Sequence, residues 1–148
     1  MTGTGEARAR RSGACALGEL MEERAKEKQR VYSDQEVTER LGRDLPGWRL
    51  EDGWIRRRYR TYGWKGTLMV VNAVGHLAEA AWHHPDLAVS YAFVIVKLRN
   101  HAANGITDKD FALAKKIDEV ILWRPGLEGG PLEGTPTADP RFQYIKYE

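Results

Sequence analysis

The chain has 148 residues, 42% hydrophobic and 30% charged, the composition of one globular domain able to bury a core without cross-links. A formal net charge of +2 gives no general signal for nucleic acid, and the single cysteine, Cys15, excludes an intrachain disulfide framework. No apolar run approaches the roughly 18 residues of a membrane span, so no membrane contact is expected and the cytoplasm is the expected setting. Residues 1–30 read as an unstructured tail. Its start is rich in Arg, Gly and Thr, a composition shared with transit peptides, and Cys15 falls within it. From residue 31 the pattern changes to that of a folded domain, expected over 31–124. Ser33 with Glu36 forms a capping box, Tyr32 with Val37 its hydrophobic staple, and Val37, Leu41 and Leu45 a stripe, predicting a helix over 34–44. "LPGW" stops it.

"WRLEDGWIRRRYRT" then predicts two strands joined at Asp52-Gly53. The second carries Arg56, Arg57, Arg58 and Arg60 and reads as a solvated sheet edge in preference to a phosphate contact. Over 65–82, Leu68, Val71, Val74, Leu77, Ala78 and Ala81 predict a helix with a broad apolar face, and Asn72, His76, Glu79 and His83 line its opposite side. Pro85 ends it. "LAVSYAFVIVKLRN" has the β-branched and aromatic content of two strands with a turn, or of one long bent strand, with Tyr91 filling the space between sheet and helix. After "NG" at 104–105, Thr107 with Asp110 is a second capping box and Ile106 with Phe111 a second staple, opening a last helix through Ala114, Ile117 and Ile121. Residues 125–148 form a Gly/Pro-rich extension whose end, "RFQYIKYE", is an added strand or a docked tail. The fold class that follows is α+β, in the order α-β-β-α-β-β-α: a four-stranded antiparallel sheet with three helices on one face.

Chemistry concentrates in "AAWHHPDLAVSYAFVIVKLRNH", residues 80–101, which holds three of the four histidines. Taken alone, His83 and His84 would serve the free carbonyls at a helix C-terminus, Asp110 its capping box, and Glu79 an ordinary helix-surface pair. A metal site through His76, Glu79, His83 and His101 is disfavoured, because seven residues separate His76 from His83, about 10 Å along a helix axis. No metal is therefore expected. Gly-rich phosphate loops, a G-x-S-x-G elbow and paired cysteines are missing from the sequence.

The spacing of these residues resembles that of the pterin-4a-carbinolamine (4a-hydroxytetrahydrobiopterin) dehydratases, a family that includes dimerisation cofactors of a homeodomain transcription factor. Glu79 stands four before His83-His84-Pro85, Tyr91 six after that proline, His101 ten after Tyr91, and Asp110 nine after His101. The likeness runs over residues 33–123 and includes "PGW" and "GITDKDFALAKKID". It implies dehydration of 4a-hydroxytetrahydropterin to quinonoid dihydropterin without a cofactor, recycling tetrahydrobiopterin for aromatic amino-acid hydroxylases. It further implies His83 and His101 as acid and base, His84 as a pterin holder, and Glu79 as the partner that orients an imidazole, with His83 the acid. Trp82, Pro85, Arg99, Asn100 and Asp110 would line the substrate site. Homodimers or homotetramers are expected, without direct contact to nucleic acid. Two positions depart from the family: Trp82, where many members have Asp or Asn, and Arg99-Asn100, where many have Ser-Thr or Thr-Thr. Silent relatives, among them an assembly factor for RuBisCO in carboxysomes, supply the alternative. In it the chain is an assembly or coactivator-type protein holding a protein partner.

Overall fold

The structure, a computed structural model, describes residues 13–26 and 29–148. Asp52 and Gly53 both take positive φ, 53° and 78°. Two left-handed residues in a row are what a two-residue hairpin turn requires. β1 (Arg49–Glu51) accordingly folds back antiparallel on β2 (Trp54–Arg60). A second hairpin joins β3 (Asp86–Ser90) to β4 (Phe93–Leu98) through Tyr91 and Ala92, so the apolar run is two strands with a turn. β4 pairs antiparallel with β2, Ile55 opposite Leu98, giving one sheet in the order β1-β2-β4-β3.

Along β4, Val94, Val96 and Leu98 are buried while Phe93, Ile95 and Lys97 between them are only partly so. That period of two marks a sheet with helices on one face. The covering helices are α2 (Asp34–Asp44), α3 (Trp64–Ala81) and α4 (Asp108–Ile121). Val37 and Leu41 from α2, Val70 and Val74 from α3, and Phe111, Ala114 and Ile117 from α4 meet Ile55, Tyr59, Val94, Val96 and Leu98 in one core. Both predicted capping boxes form at the starts of α2 and α4.

Several expectations are corrected. The supposed tail contains a helix, α1 (Gly13–Lys26), rich in the strong helix formers Ala, Leu, Glu and Met. Its side chains over 13–22 are exposed, and residues 1–12 lie outside the described residues. The Arg-rich strand β2 is interior to the sheet. Arg57 faces the helices, where Asp118 accepts its Nη1 hydrogen bond at 3.0 Å and that of the Tyr59 hydroxyl. Burial and the Asp118 charge push the Tyr59 phenol far above its ordinary pKa. The buried stripe of α3 is Val70, Val74 and Ala78, and Leu68 and Ala81 are exposed. Tyr91 is exposed at its turn, the side chain outside the layer it was expected to fill.

The extension ends as a docked tail. Ile145 is buried and bridges Thr61, while Lys146 donates its backbone N–H to the Arg60 carbonyl at 2.9 Å. Gly66 makes this possible, since a Cβ there would lie 2.3 Å from the Tyr144 carbonyl oxygen.

Asp108 ties α2 to α4, accepting from Tyr32 Oη at 2.8 Å and Arg40 Nη1 at 2.7 Å. These bonds, Arg40 first, hold its carboxyl below the usual range. A carboxylate with a depressed folded pKa stabilises above its unfolded value, about 3.9, and that contribution is lost as pH falls through the folded value. The group is largely exposed, so screening limits its worth to about 1 kcal/mol or less. Asp108→Asn is therefore expected to be slightly less stable than the parent at pH 7. The gap in urea midpoint should close progressively on acidification below about pH 5.

Candidate active site

The C-terminal end of α3 sets up the first histidine pair. The Trp82 N–H reaches the Glu79 carbonyl at 3.2 Å and the His83 N–H the Ala78 carbonyl at 3.1 Å, with Trp82 left-handed at φ 50°, ψ 43°. This is a Schellman closure, and it needs one αL residue. Gly fills that role without strain and Asn or Asp tolerate it, whereas other L-residues carry a penalty of roughly 1–2 kcal/mol. Trp82 belongs to the penalised group.

Beyond the closure His83 and His84 turn to different partners. His83 Nε2 lies 2.7 Å from Asp110 Oδ1, with the His83 side chain 11% exposed and that of Asp110 0%. The other Asp110 oxygen accepts the Thr107 N–H at 2.8 Å, the N-terminal cap of α4. A carboxylate only accepts, so Nε2 is the donor in this pair, and Asp110 leaves the ring's Nδ1 unengaged. His84 Nε2 lies 2.8 Å from Glu79 Oε2 in an open setting, 53% and 68% exposed. Glu79 therefore serves His84, and the partner of His83 is Asp110. A spacing of four is right for a helix pair, but α3 stops at Ala81, so His83 is already off the helix and faces α4.

The third histidine leaves the end of β4. His101 is exposed, its ring edge-to-face with Trp54 at 5.3 Å. Its neighbour Asn100 is buried and donates Nδ2–H to Thr107 Oγ1 at 3.2 Å and to Gln29 Oε1 at 3.0 Å, while its Oδ1 accepts the Ala103 N–H at 3.1 Å. A chain of contacts thus runs from the His101 loop through Asn100, Thr107 and Asp110 to His83. Arg99 donates to the Gly53 carbonyl at 3.2 Å and to Asn104 Oδ1 at 2.7 Å, fastening the first hairpin to the same loop. Pro85 is half-buried and leads into β3. Trp54, Thr107 and Gln29 were not singled out as site residues. Register would have found the first: Ile55 pairs with Leu98, so the residue before Ile55 lies beside the chain leaving β4.

Two concavities lie elsewhere. One of about 670 Å³ is walled by Trp123, Arg124, Phe142, Tyr144 and Tyr147 of the extension, and one of about 260 Å³ by Tyr62, Trp64, Tyr91 and Arg141; neither is lined by a histidine. Imidazoles paired with carboxylates exchange protons near neutral pH more readily than the phenols that line these concavities, so the histidine end of the sheet is the candidate site. Among the described residues no group of three His, Cys, Asp or Glu side chains is placed to hold a metal ion. No helix there is long and apolar enough to cross a membrane.

Comparison with known proteins gives this α+β domain a family. Residues 30–120 match the family model described as pterin 4 alpha carbinolamine dehydratase, and the chain belongs to that family. A protein of Aquifex aeolicus, named provisionally as a pterin-4-alpha-carbinolamine dehydratase, is 49% identical over 92 residues, covering 62% of this chain and 92% of its own. One from Roseiflexus castenholzii with the same name is 43% identical over 91 residues, 62% of this chain and 97% of that protein. The crystal structure of a transcriptional coactivator/pterin dehydratase from Brucella melitensis superposes with a TM-score of 0.57 at 28% identity, over 62% of this chain and 99% of that one.

The two carboxylate–imidazole pairs should differ sharply when cut. Asp110→Ala orphans two donors at a buried position and is expected to cost about 1–3 kcal/mol. Glu79→Ala breaks an exposed pair and is expected to cost under about 1 kcal/mol. Urea unfolding of both variants against the parent measures the contrast.

Proposed function

We propose that the chain dehydrates a 4a-hydroxytetrahydropterin to the quinonoid dihydropterin. The observation that carries the reading is the His83–Asp110 pair, which leaves Nδ1 of a held imidazole free. His101 stands at the other end of the Asp110–Thr107–Asn100 chain. Dehydration breaks the bond from carbon 4a to its hydroxyl oxygen, which leaves as water once protonated, and removes the proton from nitrogen 5. One group must give a proton and another accept one, and imidazole can do either near neutral pH. In this reading His83 and His101 divide those two transfers, while His84, braced by Glu79, holds the pterin. Membership of the dehydratase family and the provisional dehydratase names of close relatives support it.

The purified protein should accelerate loss of the carbinolamine above the spontaneous rate. His83→Ala and His101→Ala should each lower the catalysed rate by about 100-fold or more, the usual size of a general acid or base contribution. A parent rate equal to buffer would remove the catalytic reading and leave the assembly or coactivator-type role anticipated from Trp82, Arg99, Asn100 and the extension.

A further inference from the structure

The extension beyond α4 builds a hollow that the dehydration chemistry does not use. Its lining residues lie outside 30–120, the span matched by the family model. Its volume of about 670 Å³ falls within the roughly 300–1,000 Å³ of small-ligand sites. Short-range contacts hold its walls. The backbone of Gly126 closes on that of Glu133 so tightly that a Cβ at 126 would lie 2.4 Å from the Glu133 carbonyl oxygen. Gln143 Nε2–H donates to the Pro136 carbonyl at 3.2 Å, and the Trp123 indole N–H to Glu128 Oε1 at 3.1 Å.

The lining is aromatic, from Trp123, Phe142, Tyr144 and Tyr147, with a single cation, Arg124. Trp123 and Phe142 stay about half exposed, at 52% and 49%, and an apolar ring set against them would take that surface out of water. The Arg124 guanidinium lies over the Tyr147 ring, 4.5 Å from its centroid, and among the described residues it pairs with no carboxylate. A cation resting on an aromatic face keeps its in-plane N–H donors for a planar anion. The same contact argues against an ammonium ligand, because the cation's place on Tyr147 is already filled. Glu133, the one acidic residue in the lining, is exposed to solvent.

We propose that this hollow is a second ligand site, which takes a small aromatic carboxylate. The ring lies among Trp123, Phe142 and Tyr144, and the carboxylate meets the fork of Arg124. The site stands independently of the pterin reading, since no histidine lines it.

The test titrates the full chain with phenylacetate and with its uncharged amide, phenylacetamide, following the Trp123 indole N–H signal by two-dimensional NMR. Phenylacetate should shift that signal saturably, and the amide should bind about 10-fold more weakly or worse, the scale of a lost hydrogen bond to a charged group. Arg124→Gln should bring the acid down to the affinity of the amide. Phe142→Ala should weaken both ligands about threefold or more, the scale of one lost aromatic contact. Because Arg124 also touches Tyr147, the parent's acid-to-amide ratio decides the proposal even where Arg124→Gln loosens the extension. Equal affinities for acid and amide in the parent would overturn it. So would a Trp123 signal that never moves, or shifts confined to Trp54 and Trp82 at the histidine end.

Discussion

Asp110 has no exposed side-chain surface, and its two oxygens hold two different parts of the molecule. One closes the N-terminus of α4 through the Thr107 N–H, and the other fixes the ring of His83. A buried carboxylate is tolerable only when its acceptor capacity is used by donors, and here the helix cap and the imidazole supply them. The cap orients α4, which carries Phe111, Ala114 and Ile117 into the core, so the position of the histidine and the packing of the helix share one side chain. Asn100 extends the arrangement to the loop bearing His101 through its bond to Thr107. The site is thereby built into the core instead of being laid over it.

Most of the frame was legible in the sequence, because it depends on short-range chemistry. Ser33 with Glu36, Asp52-Gly53 and Thr107 with Asp110 each specify a local conformation through backbone hydrogen bonds or φ sign, and each forms as read. What escaped depends on how elements meet. The pairing of His83 with Asp110 instead of Glu79 requires knowing that α3 ends two residues before His83 and that α4 lies opposite. The interior place of β2 follows from strand order, which alternating hydrophobicity does not encode; only Arg57 turns toward the helices, and Asp118 meets it there. Asp110 is the instructive residue. Its capping role was sufficient to explain it, and sufficiency concealed the second role.

The extension follows a different logic from the domain it is attached to. Its loop lies almost wholly exposed, and what anchors it is the buried Ile145 and the backbone bonds to Arg60 and Tyr62. Arg57 adds a side-chain link to the Glu148 carbonyl at 3.4 Å while also pairing with Asp118 of α4. The tail is thus joined to β2 and to the start of α3, the end of that helix remote from the histidines.

Consecutive histidines that face different carboxylates also place two similar pairs in two different solvents. His84 and Glu79 sit among mobile ions, where at 0.1 M salt a charge is screened over about 10 Å, whereas His83 and Asp110 are enclosed by protein and feel that atmosphere little. Added salt therefore weakens the outer pair more than the inner one. Ionic strength becomes a means of separating the contributions of two adjacent residues without altering either.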